Sequence, residues 1–198
     1  MVINTNISAQ TTATLLSQSS ALLSKSLARL SSGSKITSPA DDSAGLAVSM
    51  NLTAQISRNT AASNNIANAN SFNQTQDGYL AQVTSALDRM SELAIQSQDV
   101  TKSDSDRELY NKEFQTLATY VQDVSTKDFN GVSLFNGNQL DVTIDSDGNT
   151  FNMTGVNLDN NTTFTTLEGT DVLNTTNAAA ALTAVKNAIT EVATDRAT

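Results

Sequence analysis

Two uninterrupted runs of alternating four- and three-residue spacing restrict what this 198-residue chain can become. In the first, Ala9, Ala13, Leu16, Ser20, Leu23, Leu27 and Leu30 fall on the a and d positions of a coiled-coil seam, and Leu15 and Leu22 widen it. In the second, Val48, Leu52, Gln55, Asn59, Ala62, Ile66, Ala69, Asn73, Gln76, Leu80, Val83, Leu87, Met90 and Ala94 keep the same step. A chain patterned in this way folds into long helices that pack along their lengths. The first run is also without charge, since no ionisable side chain occurs before Lys25. Its outer face is Ser, Thr, Gln and Asn, with nothing to repel a neighbouring copy. Such a helix is poorly suited to standing alone in water and well suited to burial among copies of itself. Self-assembly is therefore the first expectation.

Composition removes most chemistry. There is no Cys, His or Trp, so a usual zinc site, a Cys or His nucleophile or base and a Ser-His-Asp triad are all excluded. No cofactor is expected. The net charge of -9 and the lack of a basic stripe argue against nucleic acid and against an anionic membrane surface. No stretch approaches transmembrane length, so no membrane insertion is expected, and MVINTNISAQ lacks the basic and apolar regions of a signal peptide.

The first helix is expected from about Ala9 to Leu30, stopped by Ser31-Ser32-Gly33-Ser34. Residues 34–43 form a connector with the chain's lone proline, Pro39. Asp41, Asp42 and Ser43 stand at the start of the second helix, where carboxylates favour the exposed N–H groups. From Ser43 to Gln98 that helix would measure roughly 80 Å at 1.5 Å per residue. Gln55, Asn59, Asn73 and Gln76 place polar groups on its seam, which fixes register at a cost in stability. Gly78 inside the pattern is a candidate bend. A third helix, marked by Tyr110, Phe114, Leu117, Val121 and Val124, should fold back on the second as an antiparallel hairpin.

The period then changes to two. Leu140, Val142 and Ile144 alternate before Asp145-Ser146-Asp147-Gly148-Asn149, and Phe151 and Met153 follow, which reads as a β-hairpin within about 129–154. Residues 155–176 are rich in Asn and Thr and read as a loop with little core. Leu182, Val185, Ile189, Val192 and Arg196 begin another helical stripe over 177–198. That stripe carries no stop signal, so the expectation is a piece of a longer protein. The fold class expected is mostly α: an elongated coiled-coil bundle with a small β-hairpin.

Three motifs in this order resemble one family. The segment LARLSSGSKITSPADDSAGLAVS (Leu27–Ser49) resembles the N-terminal signature of bacterial flagellins. LDRMSELAIQSQD (Leu87–Asp99) resembles the family's second signature, and FNGVSLF (Phe129–Phe135) the turn that opens its hairpin. The resemblance covers about residues 1–154 and implies a structural subunit of the flagellar filament, a homopolymer outside the cell. It implies that residues 1–33 form an inner-tube helix, disordered in the free monomer, and that 44–198 form the surrounding bundle. It further implies export through the flagellar apparatus without a cleaved signal peptide. The hook–filament junction protein resembles flagellin over the same stretch and is the alternative; a secreted coiled-coil adhesin or effector is a more distant one.

The residues expected to carry assembly are Leu16, Leu23, Leu27 and Leu30 on the inner seam, with Leu87 and Met90 on the long helix. Arg89, Leu93 and Glu113 align with positions through which family members contact the Toll-like receptor that senses flagellin; the other reading is lateral packing between subunits. Asp41 and Asp42 as paired catalytic carboxylates are outweighed by helix capping, because no second acid, base or pocket accompanies them. Asp145–Asn149 superficially resembles a calcium loop, yet it lacks the distal Glu of an EF-hand and reads as a solvated turn. Sequons at Asn6, Asn51, Asn73, Asn152, Asn160, Asn161 and Asn174 are what so much Asn, Ser and Thr produces by chance.

Overall fold

A computed structural model describes residues 6–197. Residues 1–5 of the expected inner-tube segment and residue 198 of the last stripe lie outside the described residues. The chain divides into two compact units, Met1–Arg58 and Asn59–Thr198.

The first unit holds α1 (Ile7–Ser32), the connector and the opening residues of α2 (Ser43–Gln98). Asn6 caps α1, its side chain accepting from the Ala9 N–H at 3.1 Å. The helix ends where Gly33 turns left-handed at φ +66°, a conformation that glycine adopts without strain. Between those ends no side chain of α1 is buried. Leu15, Leu16, Leu22, Leu23, Leu27 and Leu30 all lie open, Leu30 at 81% exposure.

The expectation for the aspartate pair is half corrected. Asp42 does cap α2, accepting from the Gly45 N–H at 2.8 Å. Asp41 turns away from α2 and binds Lys25 and Arg29 of α1.

The second unit holds the remainder of α2, α3 (Asp104–Ser125), four short strands, α4 (Thr162–Glu168) and α5 (Thr175–Arg196). Of the expected α2 seam, Ala62, Gln76, Leu80, Val83, Leu87, Met90 and Ala94 are buried, joined by Phe72, Ala86 and Leu93, while Val48, Leu52, Gln55, Asn59, Ile66 and Asn73 lie exposed. Gln76 is the seam's buried polar group, and its side-chain amide donates to the Leu134 carbonyl at 2.5 Å. That bond satisfies the amide and ties α2 to the strand region. The helix passes through Gly78 without interruption, so no break occurs there.

A capping box starts α3: the Ser103 hydroxyl accepts from the Asp106 N–H, and the Asp106 carboxylate accepts from Ser103. Contacts across the helix pair run Gln82 to Tyr120, Arg89 to Glu113 and Ser97 to Arg107. They step forward along α2 and backward along α3, which is the expected antiparallel pairing. Phe114, Ala118, Val121 and Val124 face the core, with Tyr110 and Leu117 partly covered.

The hairpin expected around Asp145–Asn149 is present, and a second, separate antiparallel pair precedes it. β1 (Asp128–Phe129) pairs with β2 (Val132–Ser133), and β3 (Leu140–Thr143) pairs with β4 (Thr150–Met153) in the register Leu140 opposite Met153. Between the pairs, Leu134 and Phe135 drop into the core at 2% and 0% exposure. Residues that leave the sheet to fill a core break the alternation on which strand reading depends.

The segment 155–176 also differs from the expected loop. Val156, Leu158, Phe164, Leu167 and Val172 are buried within it, and Asn161 caps α4 by accepting from the Thr163 N–H. A short helix of threonines and one glutamate around two apolar residues has too little periodicity to be read from sequence. On α5 the buried face is Ala178, Ala181, Val185, Ala188 and Val192, with Leu182 and Ile189 at its border. Alanine lets this helix approach its neighbours closely.

Candidate functional site

The described residues contain no cluster of three or more His, Cys, Asp or Glu arranged to hold a metal, and no helix long and apolar enough to cross a membrane. What the structure offers instead is surface, in two forms.

The first form is the face of α1 and the connector beside it. Leu16, Leu23, Leu27 and Leu30 are 56–81% exposed, so their apolar area is not covered within the chain. Fully burying one leucine is worth about 1.5–3 kcal/mol, and that stabilisation is left unused here. Asp41 anchors the connector to this helix. Its carboxylate receives Lys25 Nζ at 2.5 Å and lies 3.7 Å from Arg29, and its side chain is only 9% exposed. The Thr37 N–H and hydroxyl also donate to it, at 3.4 and 3.2 Å. The Lys25 bond holds the Asp41 carboxyl below its ordinary range, with Thr37 helping. Two adjacent carboxylates thus serve two helices, Asp41 gripping α1 and Asp42 starting α2. Sequence reasoning missed the Lys25–Asp41 pair because only the folded connector brings positions so far apart in sequence together.

The second form is the charged face of the α2–α3 pair. Arg89 reaches Glu113 through two bonds, Nε to Oε1 at 2.7 Å and Nη2 to Oε2 at 3.1 Å, and its Nη1 meets Glu92 at 2.8 Å. The forked geometry is the strong form of such a pair. Glu113, then Glu92, holds the guanidinium charged above its usual range, and Arg89 holds Glu113 below its own. All three side chains remain 42–62% exposed.

Three expected contact residues are corrected by burial. Leu87, Met90 and Leu93 each have 0% exposure, packed inside the bundle of their own chain. Arg89 and Leu93 sit one turn apart, yet Arg89 faces solvent at the helix edge while Leu93 is part of the core. A side chain with no accessible surface cannot touch a second molecule. Of the residues expected to make an outside contact on this helix pair, Arg89 and Glu113 keep accessible side chains.

Arg107 is a further residue that spacing did not single out. It is 7% exposed and donates to the Ser97 carbonyl at 3.0 Å and the Asp99 carbonyl at 2.9 Å, with Asp104 at 3.0 Å. A cation in the first turns of α3 opposes that helix's dipole, which is the signal that could have found it. It is placed there to satisfy the carbonyl end of α2.

At Asp145–Asn149 the Asp145 carboxylate accepts from the N–H groups of Asp147 and Asn149, both at 2.9 Å. The Asn149 side chain lowers its pKa first, with these backbone bonds adding to the effect. Its oxygens are committed to closing the turn.

An open apolar seam and a self-contained helical core together define a helical protein with an uncovered packing face. Comparison with known proteins says which one. The model of the bacterial flagellin N-terminal helical region matches residues 3–140. The chain belongs to the bacterial flagellin family, a family of structural proteins. It is 40% identical to flagellin A of Vibrio cholerae over 136 residues, covering 68% of this chain and 36% of that protein. A flagellin of Xenorhabdus nematophila is 34% identical over 158 residues, 79% of this chain and 50% of its own length. The flagellar filament 31.3 kDa core protein of Treponema maltophilum is 37% identical over 138 residues, 69% of this chain and 48% of its own. Among solved structures, a Bacillus cereus flagellin matches with a TM-score of 0.56 at 25% identity, covering 64% of this chain and 75% of that one. The chain thus spans about a third to a half of the length of these curated relatives.

Proposed function

We propose that this chain acts as a structural subunit of the bacterial flagellar filament, assembling with copies of itself outside the cell and catalysing no reaction. The observation that carries the reading is the uncovered leucine face of α1: Leu16, Leu23, Leu27 and Leu30 are patterned for packing and buried by nothing in the chain. The names of the matched proteins, flagellins and a flagellar filament core protein, favour the filament over the junction reading. The family also brings the flagellar export apparatus as a partner, with no signal peptide removed. Arg89 and Glu113, exposed and paired, are the positions proposed to meet either a neighbouring subunit or the flagellin-sensing Toll-like receptor. Before assembly, a helix that buries no side chain has little to hold it, so residues 6–33 are proposed to order on joining the filament.

The test replaces Leu23 and Leu27 by Asp in cells that make the protein. Sheared surface filaments are then assayed for the tryptic peptide Met90–Lys102. Loss of the variant from filaments, with its folded core unchanged, is expected. Normal incorporation would reject the leucine face as an assembly surface. In the parent protein, a handful of copies per filament would select the junction role, and complete absence the adhesin or effector.

A further inference from the structure

The same tripeptide occurs twice in this chain, as Phe129-Asn130-Gly131 and as Phe135-Asn136-Gly137. Asparagine before glycine is chemically labile, because the following nitrogen, unhindered by a Cβ, can reach the side-chain carbon. Matched residues on both sides remove the local sequence as a cause of any difference between the two sites. Any difference must come from the fold.

The fold treats them in opposite ways. Asn130 (φ +53°) and Gly131 (φ +80°) are the two central residues of the β1–β2 turn, and both lie at the surface. Among the described residues, neither the Asn130 side chain nor the Gly131 N–H makes a hydrogen bond, and the space where a Gly131 Cβ would sit is open. Two residue pairs and the Leu134 N–H, which donates to the Lys127 carbonyl at 3.0 Å, close this short hairpin. At the second site the Gly137 N–H donates to the Val156 carbonyl at 2.9 Å, which occupies the nitrogen that would attack. The Asn136 side-chain oxygen accepts from the Asn138 N–H at 2.9 Å, and Asn136 bridges to Asn157. Phe135 beside it is fully buried.

We propose that Asn130 is a site of spontaneous deamidation in the folded protein and that Asn136 is its protected counterpart. The Gly131 nitrogen bonds to Asn130 Cγ, and the Cγ–Nδ2 bond breaks. The side-chain nitrogen leaves as ammonia, taking the proton that the backbone nitrogen gives up. A five-membered imide results, and water opens it at one carbonyl or the other to give aspartate or isoaspartate. Water is the sole co-reactant and no electrons are transferred. The product adds a carboxylate beside Asp128, and as isoaspartate it adds a backbone carbon to a two-residue turn. That turn seats Phe129 edge-on against Phe72 of α2, with ring centroids 5.9 Å apart. The change therefore loosens a contact between the strand region and the long helix, and it records the age of each chain.

The test incubates the folded protein at mildly alkaline pH and cleaves it with chymotrypsin after Phe129, Phe135 and Leu140. This releases Asn130–Phe135 and Asn136–Leu140 as separate peptides for mass spectrometry. A parallel sample is incubated in denaturant. The expected result is several-fold faster conversion at Asn130 in the folded protein and matched rates in denaturant. Equal rates in the folded protein would overturn the proposal, as would faster conversion at Asn136. The same disparity persisting in denaturant would also overturn it, since the fold would then not be its cause.

Discussion

α1 and α5 are comparable helices, 26 and 22 residues long, and both carry an apolar stripe at helical spacing. They treat it differently. α5 lines its stripe with Ala178, Ala181, Ala188, Val185 and Val192, and each of these is buried within its own unit. α1 lines its stripe with leucines and buries none of them. Periodicity identifies which face of a helix is apolar and says nothing about whose surface will cover it. The residue types differ as well: α5 presents small side chains to its own unit, while α1 leaves large ones open.

The sharpest test of this contrast is a pair of truncations. Leu93→Ala, in the core of the second unit, should lower the stability of that unit by about 2–5 kcal/mol, read from a urea titration followed by circular dichroism. Leu23→Ala on α1 should move the same transition by no more than about 0.5 kcal/mol, because it uncovers nothing. Comparable losses in both variants would mean that α1 is packed within its own chain.

Arg107→Ala comes next. It removes the side-chain donor to the Ser97 carbonyl and one of two donors to the Asp99 carbonyl, which keeps the Lys102 N–H, and leaving a buried acceptor unmade costs about 1–3 kcal/mol. Hydrogen exchange at residues 97–104 should accelerate more than exchange in α5. Arg107→Lys should recover only part of the loss, since an ammonium cannot present the guanidinium's fixed fork. An unchanged transition would show that the turn holds itself closed and that the open–buried contrast owes nothing to this residue.

The long helices were legible because a seam repeated over several heptads leaves no other period to choose. The stop at Gly33, the long second helix and the antiparallel third all followed from spacing. The parts that escaped are those in which short segments contribute one or two side chains to a shared core. Phe164 and Leu167 lie on a helix of threonines, and Leu134 and Phe135 lie between strands, so neither pair generates a period. Partners distant in sequence, such as Lys25 with Asp41, also leave no local trace. Leu87 and Met90 lie on the face that spacing marks for packing, and their own chain covers it; Leu93, expected at an outside contact, is covered in the same core.

Gly78 offers a smaller effect of opposite sign. It lies in the interior of α2 with nothing within 4 Å of where its Cβ would be. Gly78→Ala should therefore stabilise the second unit by about 0.5–1 kcal/mol through lost chain entropy and better helix propensity. A thermal melt checks it. A destabilised variant would show that α2 bends at this point in solution and that the buried seam is not one continuous face.

The weakest effect expected is a dependence on pH at the far end of α5. Burial, and then the neighbouring charge of Glu191 one turn earlier, raises the Asp195 pKa from 3.8 to about 6. Its Oδ2 is buried without a hydrogen bond. Of the charged groups nearby, Glu191 accepts from Asn161, while Arg196 pairs with Asp77 at 2.7 Å, away from this carboxylate. A raised carboxyl pKa means that the folded chain holds this proton more tightly than the unfolded one. Its contribution to stability is therefore fullest below the ordinary value of 3.8, declines as pH rises to about 6, and is flat beyond. Asp41, Asp99, Asp106, Glu113 and Asp145 run the other way, because their lowered pKa values stabilise the fold above the ordinary range and are lost on acidification. Comparing Asp195→Asn with the parent cancels those terms. The variant should melt higher at about pH 7 and show no advantage at about pH 4. An advantage of equal size at both values would mean that the introduced amide gains by packing alone, and that α5 is closed by apolar contact to its very end.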